Sequence, residues 1–413
     1  IKACAGLYME IKASEYAYTP GDSIQLSIES INRSDVDMRL ASVELGKFQS
    51  FTIHQKLYNN RPYNMDVTYS MNATHPYSDP YWLQEEGSLG MYQVANKRLI
   101  GNPENAPALS AKFTIEINKV FIPFELPVIF KKNDPVKGEV YRPLEVTPPV
   151  FLNIEDKVYV FGNGAAKKVA VKVMAGRANI KGQVKLNVPG GWKVTPESHD
   201  FSLALKEEQA TVVFEVTPPA EQHSGEIGAV ATIDGVTYNN SLTRLDYDHI
   251  PMQALFPVSK AKVVKIDLIK KGTNIGYIKG SGDEIPASLE QVGYAVSELS
   301  NDEINLENLK NYDAVILGIR AYNTNDRLKF YQKDLMTYVE QGGTVIAQYN
   351  TSHRLVTEEL GPYPFKLSRD RVTLENAEMR ILKPDHALMT SPNIITSADF
   401  DHWVQERGLY FPN

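Results

Sequence analysis

Residues 311–352 read NYDAVILGIRAYNTNDRLKFYQKDLMTYVEQGGTVIAQYNTS, and this stretch decides the fold of the last third of the chain. The apolar run Ala314–Ile319 predicts a buried strand, because strands covered on both faces lose the usual apolar–polar alternation. A polar turn follows. Leu328, Tyr331, Leu335 and Val339 then recur at helical spacing and mark the inward stripe of an amphipathic helix. Gly342-Gly343 stops that helix, and Thr344–Gln348 predicts a second buried strand. A strand–helix–strand unit of this kind belongs to an open parallel sheet, whose ligands sit at the carboxyl ends of its strands.

The same alternation extends upstream. Ile275–Ile278 reads as a strand. Pro286 opens a helix with Ile285, Leu289 and Val292 on one face. Val296–Leu299 reads as the next strand, and Leu306 with Leu309 as a short helix. Such strand–helix alternation predicts right-handed crossovers between parallel strands. The switch from a period of 2 to one of 3.6 falls after Pro257.

Before Pro257 the pattern is all β. Ser23–Ile31 alternates between the turns at 18–22 and 32–35, as does Lys112–Val120 with Phe113, Ile115 and Ile117. These predict a sandwich interrupted by an irregular insertion over 58–103, which holds the Tyr-rich run His75–Tyr92 with Trp82. Arg142–Pro149 (RPLEVTPP) reads as a stiff linker, since proline suppresses strand pairing. Alternation at Lys167–Val173, Gly182–Val188 and Gln209–Thr217 predicts a second, smaller sandwich anchored by Trp192.

Composition sets outer bounds. A chain of 413 residues with 43% hydrophobic residues has ample material for several cores. A net charge of −7 without a basic stripe argues against nucleic-acid binding. No apolar run approaches the roughly 18 residues that span a membrane. One cysteine, Cys4, excludes a disulfide framework and a thiolate metal site. The 22 tyrosines and the Asn-rich turns fit an exported bacterial carbohydrate-handling protein, in the periplasm or secreted. The chain opens on Ile1 and closes on GLYFPN, and is expected to be an interior piece of a longer protein.

Three resemblances follow from specific residues. Tyr312-Asp313-Ala314-Val315-Ile316-Leu317-Gly318 and Gly342-Gly343-Thr344-Val345-Ile346 resemble the ThuA-like branch of the class I amidotransferase-like proteins. Pro189-Gly190-Gly191-Trp192-Lys193-Val194 with Phe214–Pro219 is similar to the sandwich domain of some bacterial α-galactosidases. Cys4-Ala5-Gly6-Leu7-Tyr8, Asn32-Arg33-Ser34, Pro80-Tyr81-Trp82-Leu83 and Trp403–Tyr410, taken in order, resemble the C-terminal region of long bacterial PIG-L/LmbE-family proteins. That last resemblance implies an N-terminal zinc-dependent N-deacetylase acting on N-acetylglucosamine-type sugars. It also divides the chain. Residues 1–10 would end the preceding domain, and 11–149 would form a β-sandwich with a long insertion. Residues 150–257 would be an Ig-like β-sandwich, and 258–413 a flavodoxin-like, ThuA-like α/β domain.

The residues depart from these families where chemistry is concerned. The amidotransferase-like nucleophile is a Cys after a sheet strand, whereas the turn after Thr344–Gln348 offers Tyr349, Asn350, Thr351 and Ser352. The deacetylase motif is His-Pro-Asp-Asp, whereas His75-Pro76 is followed by Tyr77-Ser78. None of the eight histidines is paired at metal-ligand spacing on a helix. No catalytic residue, cofactor or metal site is therefore expected, and zinc is expected only in the absent N-terminal domain.

The expected ligand pocket lies at the carboxyl edge of the parallel sheet, with Arg320, Tyr322, Asn323, Tyr349, Asn350, His353, His386, Glu406 and Arg407 as candidates. Arg320 is either a directional fork for an anion or one half of an ion pair with a nearby carboxylate. Gly276–Asp283 lacks the Gly-Lys-Ser/Thr ending of a phosphate loop and reads as a plain turn. Trp403, Gln405, Glu406 and Arg407 suit either sugar binding or packing. The expected role is a non-catalytic accessory region whose partners are its own N-terminal catalytic domain and a glycan. The alternatives are a ThuA-like sugar hydrolase or isomerase and a purely structural spacer.

Overall fold

The computed structural model of the protein describes residues 1–413 except 47, 48, 89, 402, 405–407 and 413. Strand is the dominant element. The chain divides into two compact units: residues 1–157, 168–216 and 226–261 make the first, and 158–167, 217–225 and 262–413 the second. Among the described residues no helix is long and apolar enough to cross a membrane.

The first unit begins with β1 (Leu7–Ala13), β2 (Ala17–Tyr18), β3 (Ser23–Asn32), β4 (Met38–Leu45), β5 (Gln49–Leu57) and β6 (Pro62–Ser70). It continues with β7 (Ser110–Ile117), β8 (Val120–Pro127), β9 (Ile129–Asp134), β10 (Gly138–Pro143), β11 (Glu145–Val146) and β12 (Val150–Ile154). One sheet has the order β10-β9-β1-β3-β6 and another the order β5-β4-β7-β8. The alternation of β3 buries Ile24, Leu26 and Ile28 against Leu40, Val43, Phe113 and Ile115 in one apolar core. Pro62, Pro123, Pro127 and Pro143 all fall on the edge strands β6, β8 and β10, where the missing N–H breaks no interior ladder.

Two expectations for this unit are corrected. Arg142–Pro149 is not a linker. Arg142 and Pro143 pair with Phe130 and Ile129, β11 pairs in parallel with β2, and Leu144–Val146 are buried. Pro143 ends an edge strand, and the next residues enter the core. The irregular insertion is also shorter than expected, because Pro62–Ser70 runs antiparallel to β3 over nine residue pairs. The irregular stretch begins at Met71, and within it Tyr81 and Trp82 pack edge to face at 4.9 Å.

Further along come β13 (Val158–Phe161), β14 (Lys167–Ala175), β15 (Ile180–Asn187), β16 (Lys193–Thr195), β17 (His199–Leu203) and β18 (Gln209–Thr217). They are followed by β19 (His223–Ile233), β20 (Val236–Tyr238), β21 (Thr243–Leu245), β22 (Gln253–Leu255) and β23 (Lys260–Lys265). One sheet has the order β12-β14-β18-β16. In another sheet, β15 runs antiparallel to both β17 and β19. Trp192 is 5% exposed, an anchor of packing rather than a platform.

A polar knot centres on Tyr16 in this first unit. Arg142, Lys206 and Arg244 lie 3.7, 4.9 and 5.4 Å from its ring centroid. Each cation also has a carboxylate: Glu145 for Arg142, Glu15 for Lys206 and Glu207 for Arg244. The Tyr16 hydroxyl donates to Glu207 and accepts from Arg244. Burial and the bond to Glu207 push the Tyr16 phenol upward, and that same bond holds Glu207 below the usual carboxylate range.

The second unit contains a four-stranded parallel sheet. Its elements are β24 (Asn274–Ile278), α1 (Ile285–Gln291), β25 (Ala295–Glu298), α2 (Leu306–Leu309), β26 (Ala314–Leu317), α3 (Ala321–Thr324), α4 (Leu328–Glu340) and β27 (Val345–Ala347). The strand order is β25-β24-β26-β27, with every pair parallel. Ile278, Val315 and Leu317 join Leu328, Leu335 and Tyr338 of α4 in one cluster. Ile275, Tyr277 and Ile316 pack with Ile285 and Leu289 of α1 in the other. The inward stripe of α4 is Leu328, Gln332, Leu335 and Tyr338, so Tyr331 and Val339 lie at its flanks rather than its centre. Gly342, at φ +92°, ends the helix. β27 is not the buried strand expected. It closes the sheet at one edge, and Ile346 is 49% exposed.

Beyond β27 the chain is largely irregular, with β28 (Arg371–Val372), α5 (Ala387–Thr390) and β29 (Gly408–Leu409). β28 and β29 pair antiparallel.

Candidate functional site

The carboxyl edge of the parallel sheet is organised by Asp283, in the turn between β24 and α1. Its Oδ2 accepts from the Tyr277 hydroxyl at 2.7 Å, the Ile319 amide at 3.0 Å and Gln348 Nε2 at 3.2 Å. Its Oδ1 accepts from the Ile285 amide at 3.0 Å. One carboxylate thus ties together the ends of β24, β26 and β27. Burial works against its charge, but these donors prevail and hold it below the usual carboxylate range. Two glycines make the close approach possible. A Cβ on Gly280 would collide with the Ile319 carbonyl, and one on Gly318 with the Tyr277 hydroxyl. The plain turn of the sequence reading is therefore a clamp. Its acidic residue is occupied by the protein's own donors.

A strained turn follows β26. Arg320 has left-handed backbone, φ +59° and ψ +26°, between the strand and α3. A non-glycine residue pays about 1–2 kcal/mol for that conformation. Several bonds fix it there. The Arg320 amide donates to the Tyr349 carbonyl at 2.7 Å, and the Arg320 carbonyl accepts from the Asn323 and Thr324 amides. A sharp strand-to-helix turn of this type is how α/β enzymes present a nucleophile. The elbow expected at Tyr349 thus lies at Arg320, and its side chain is a guanidinium with no nucleophilic chemistry.

The candidate residues separate into two groups. Tyr322, Asn323 and Asn350 are internal struts. Tyr322 is 1% exposed, and its hydroxyl donates to Gln332 at 2.9 Å. Asn350 accepts from the Tyr322 amide and donates to the Gln348 carbonyl. Asn323 donates to the carbonyls of Thr351 and His353 and accepts from the Thr351 amide. Their polar groups are taken up in holding the 348–353 loop.

Arg320, Tyr349 and His353 form the second group, together with Tyr410, which the sequence reading passed over. The exposed Arg320 guanidinium lies 5.7 Å from the Tyr349 ring centroid. Tyr349 meets Tyr410 at 5.9 Å, and His353 meets Tyr410 edge-on at 6.1 Å. Among the described residues Arg320 has no carboxylate partner. Tyr410 lies 61 positions from Tyr349 in the sequence, and no local pattern links them.

The remaining candidates lie elsewhere. His386 caps α5, its Nδ1 accepting from the Leu388 amide at 3.2 Å, and takes no part in the bonds of this cluster. Glu406 and Arg407, with Gln405, lie outside the described residues. Trp403 packs edge to face on Phe400 at 5.9 Å. Ser352 and His353 do not form a nucleophile–base pair: the Ser352 hydroxyl is buried without a hydrogen bond, while the His353 ring faces Tyr410. Asp248 is paired with Lys137 at 2.9 Å. Among the described residues no set of three His, Cys, Asp or Glu side chains converges as metal ligands. An open cavity of about 980 Å³ is lined by Met336, Leu355, Leu360 and Phe365. Its size does not make it the better site, because the cation–aromatic cluster lies outside it.

No protein-family model matches the chain, and no curated protein matches it. Several solved structures do. Escherichia coli alpha-2-macroglobulin in its native conformation is 10% identical over 63% of this chain and 17% of its own, at a TM-score of 0.22. A Salmonella alpha-2-macroglobulin mutant is 8% identical over 63% of this chain and 16% of its own, at 0.21. A protein of unknown function from Porphyromonas gingivalis W83 is 10% identical over 63% of this chain and 99% of its own, at 0.16. The chain covers well under two thirds of either macroglobulin's length. Likeness at these TM-scores carries no argument about fold or function.

Proposed function

We propose that this chain is the non-catalytic, carbohydrate-associated region of a longer bacterial PIG-L/LmbE-like N-deacetylase, exported to the periplasm or secreted. In this reading the second unit is a flavodoxin-like, ThuA-like domain that holds glycan for a catalytic domain preceding residue 1. One observation carries the non-catalytic half. The elbow position is filled by Arg320, a group that forms directional hydrogen bonds but does not attack carbonyls. The glycan half rests on two tyrosine rings beside that guanidinium, because aromatic faces stack on the C–H faces of pyranose rings while Arg binds their substituents. Zinc belongs to the proposed preceding domain, and the described residues here offer it no ligand set.

The test is calorimetric titration of the 413-residue chain with oligosaccharides, alongside a deacetylation assay on N-acetylglucosamine oligomers. Binding without turnover, weakened by Arg320→Ala and Tyr349→Ala with an unchanged melting temperature, is the expected result. Turnover by the pure chain would favour the ThuA-like enzyme. If both substitutions lower only the melting temperature and no glycan binds, the region is a spacer.

A further inference from the structure

We infer that the sugar held at the Arg320 cluster carries a carboxylate, so that the site selects acidic over neutral glycans; this rests on the glycan-binding reading above. Charge is the first argument. Arg320 is exposed and has no carboxylate partner among the described residues, and Arg354, next to His353 in the chain, is exposed as well. The carboxylate that organises this edge, Asp283, is taken up by four donors of the protein itself. Among the described residues the Arg320 guanidinium is therefore open to a ligand beside aromatic rings, within a chain of net charge −7. A guanidinium pairs with a carboxylate through two parallel N–H···O bonds, a geometry that a neutral hydroxymethyl group cannot match.

Backbone conformation is the second argument. Among the described residues, the second unit has three non-glycine residues with positive φ: Arg320 at +59°, Arg354 at +55° and Tyr410 at +58°. All three belong to this cluster or adjoin it in the chain. None is Asn or Asp, the residues that tolerate this conformation most readily. Strain of this kind persists only where the surroundings enforce it, and it gathers at ligand clamps. Here it fixes the two ends of the platform, Arg320 and Tyr410, so the carboxylate fork and the stacking face are set before ligand arrives.

The experiment compares trigalacturonate with galactotriose, which differ in carboxylate against hydroxymethyl, on the full 413-residue chain. Inorganic phosphate serves as a competitor, and Arg327→Gln as a surface control. The acidic trimer should bind at least about tenfold more tightly than the neutral one, as expected for charge-assisted hydrogen bonds. Its affinity should fall as salt rises. Arg320→Gln should bring the two trimers level, Arg320→Lys should recover only part of the difference, and Arg327→Gln should change nothing. Equal binding of both trimers by the unaltered chain would overturn the selectivity while leaving the glycan reading in place. Failure of both trimers to bind would remove both. Inorganic phosphate competing as well as trigalacturonate would mark a bare anion site and overturn the inference.

Discussion

Cations rest on several tyrosines of this molecule, and two of these clusters, at Tyr16 and Tyr349, are built to opposite ends. Around Tyr16 three cations share one ring, and each is matched by a carboxylate. The phenol itself bonds to Glu207 and Arg244. Around Tyr349 a single guanidinium rests on the ring without a carboxylate, and a second tyrosine stands alongside. In a network of the first kind the ring, the phenol and most of the charged atoms are taken up by one another, although Arg244 Nε and Glu145 Oε2 are buried without a hydrogen bond, and its components offset their desolvation only by bonding one another. The open cluster keeps its donors solvated and available. The composition of a cation–aromatic patch therefore says little about function. Its hydrogen-bond saturation says a good deal.

This difference predicts the sizes of mutational effects. Tyr16→Ala should destabilise the protein by about 2–3 kcal/mol in urea unfolding, since it removes the ring from three cations and the hydroxyl that bridges Arg244 and Glu207. Tyr16→Phe, which keeps the ring, should cost about 1 kcal/mol. If Tyr16→Ala costs no more than Tyr16→Phe, the cations contribute nothing and the knot is incidental. Two pH limits also follow. The folded state raises the Tyr16 phenol, so its contribution is complete below the ordinary tyrosine range and is lost as pH climbs through the raised value. Glu207 is lowered, so its contribution holds above the ordinary carboxylate range and is lost as pH falls through the lowered value. Tyr16→Phe should flatten the alkaline limb of the stability profile, and Glu207→Gln the acid limb.

The Asp283 clamp is the counterpart in the second unit. Asp283→Asn leaves at least one of four donors without an acceptor and should cost about 2 kcal/mol. Because the folded state lowers this carboxylate, its contribution too is present above the ordinary range and disappears in acid. The substitution should therefore remove part of the acid sensitivity of the second unit, followed by amide hydrogen exchange of β24 and β26. An unaltered acid profile would show that the four donors are satisfied by solvent.

Local periodicity was enough to recover the strands Asn274–Ile278 and Ala314–Leu317, the helix Leu328–Glu340 and its glycine stop. These elements carry their burial in their own spacing. What the sequence concealed lies between distant segments. Tyr16 meets Lys206 and Arg244 across some two hundred positions, and Tyr349 meets Tyr410 across a long irregular stretch. Arg142–Pro149 misled because proline is read as a breaker, whereas on an edge strand it breaks nothing. Asp283 misled for a related reason. A carboxylate in a Gly-rich turn reads as solvated until the Tyr277, Ile319 and Gln348 donors are brought to it by the parallel register. The left-handed turn at Arg320 is hidden for another reason: sequence shows where a turn lies but not the sign of φ.

The sign of φ yields the smallest and most specific prediction. In a helix or strand interior, Gly is less stable than Ala by about 0.5–1 kcal/mol, because it loses more backbone freedom on folding. At Arg320 the order should invert. Arg320→Ala and Arg320→Gly both remove the guanidinium and its contact with Tyr349, so that loss cancels between them. Alanine keeps the Cβ that clashes in the left-handed region, whereas glycine relieves it. Arg320→Gly should therefore be more stable than Arg320→Ala by about 1 kcal/mol in urea unfolding. The unaltered protein should bind trigalacturonate more tightly than either variant. A glycine variant that is more stable than its alanine twin yet equally impaired in binding would show that the elbow bears its strain for the side chain it presents. If the alanine variant is the more stable of the two, Arg320 does not occupy the left-handed region in solution, and the contrast between the open and closed clusters loses its structural basis.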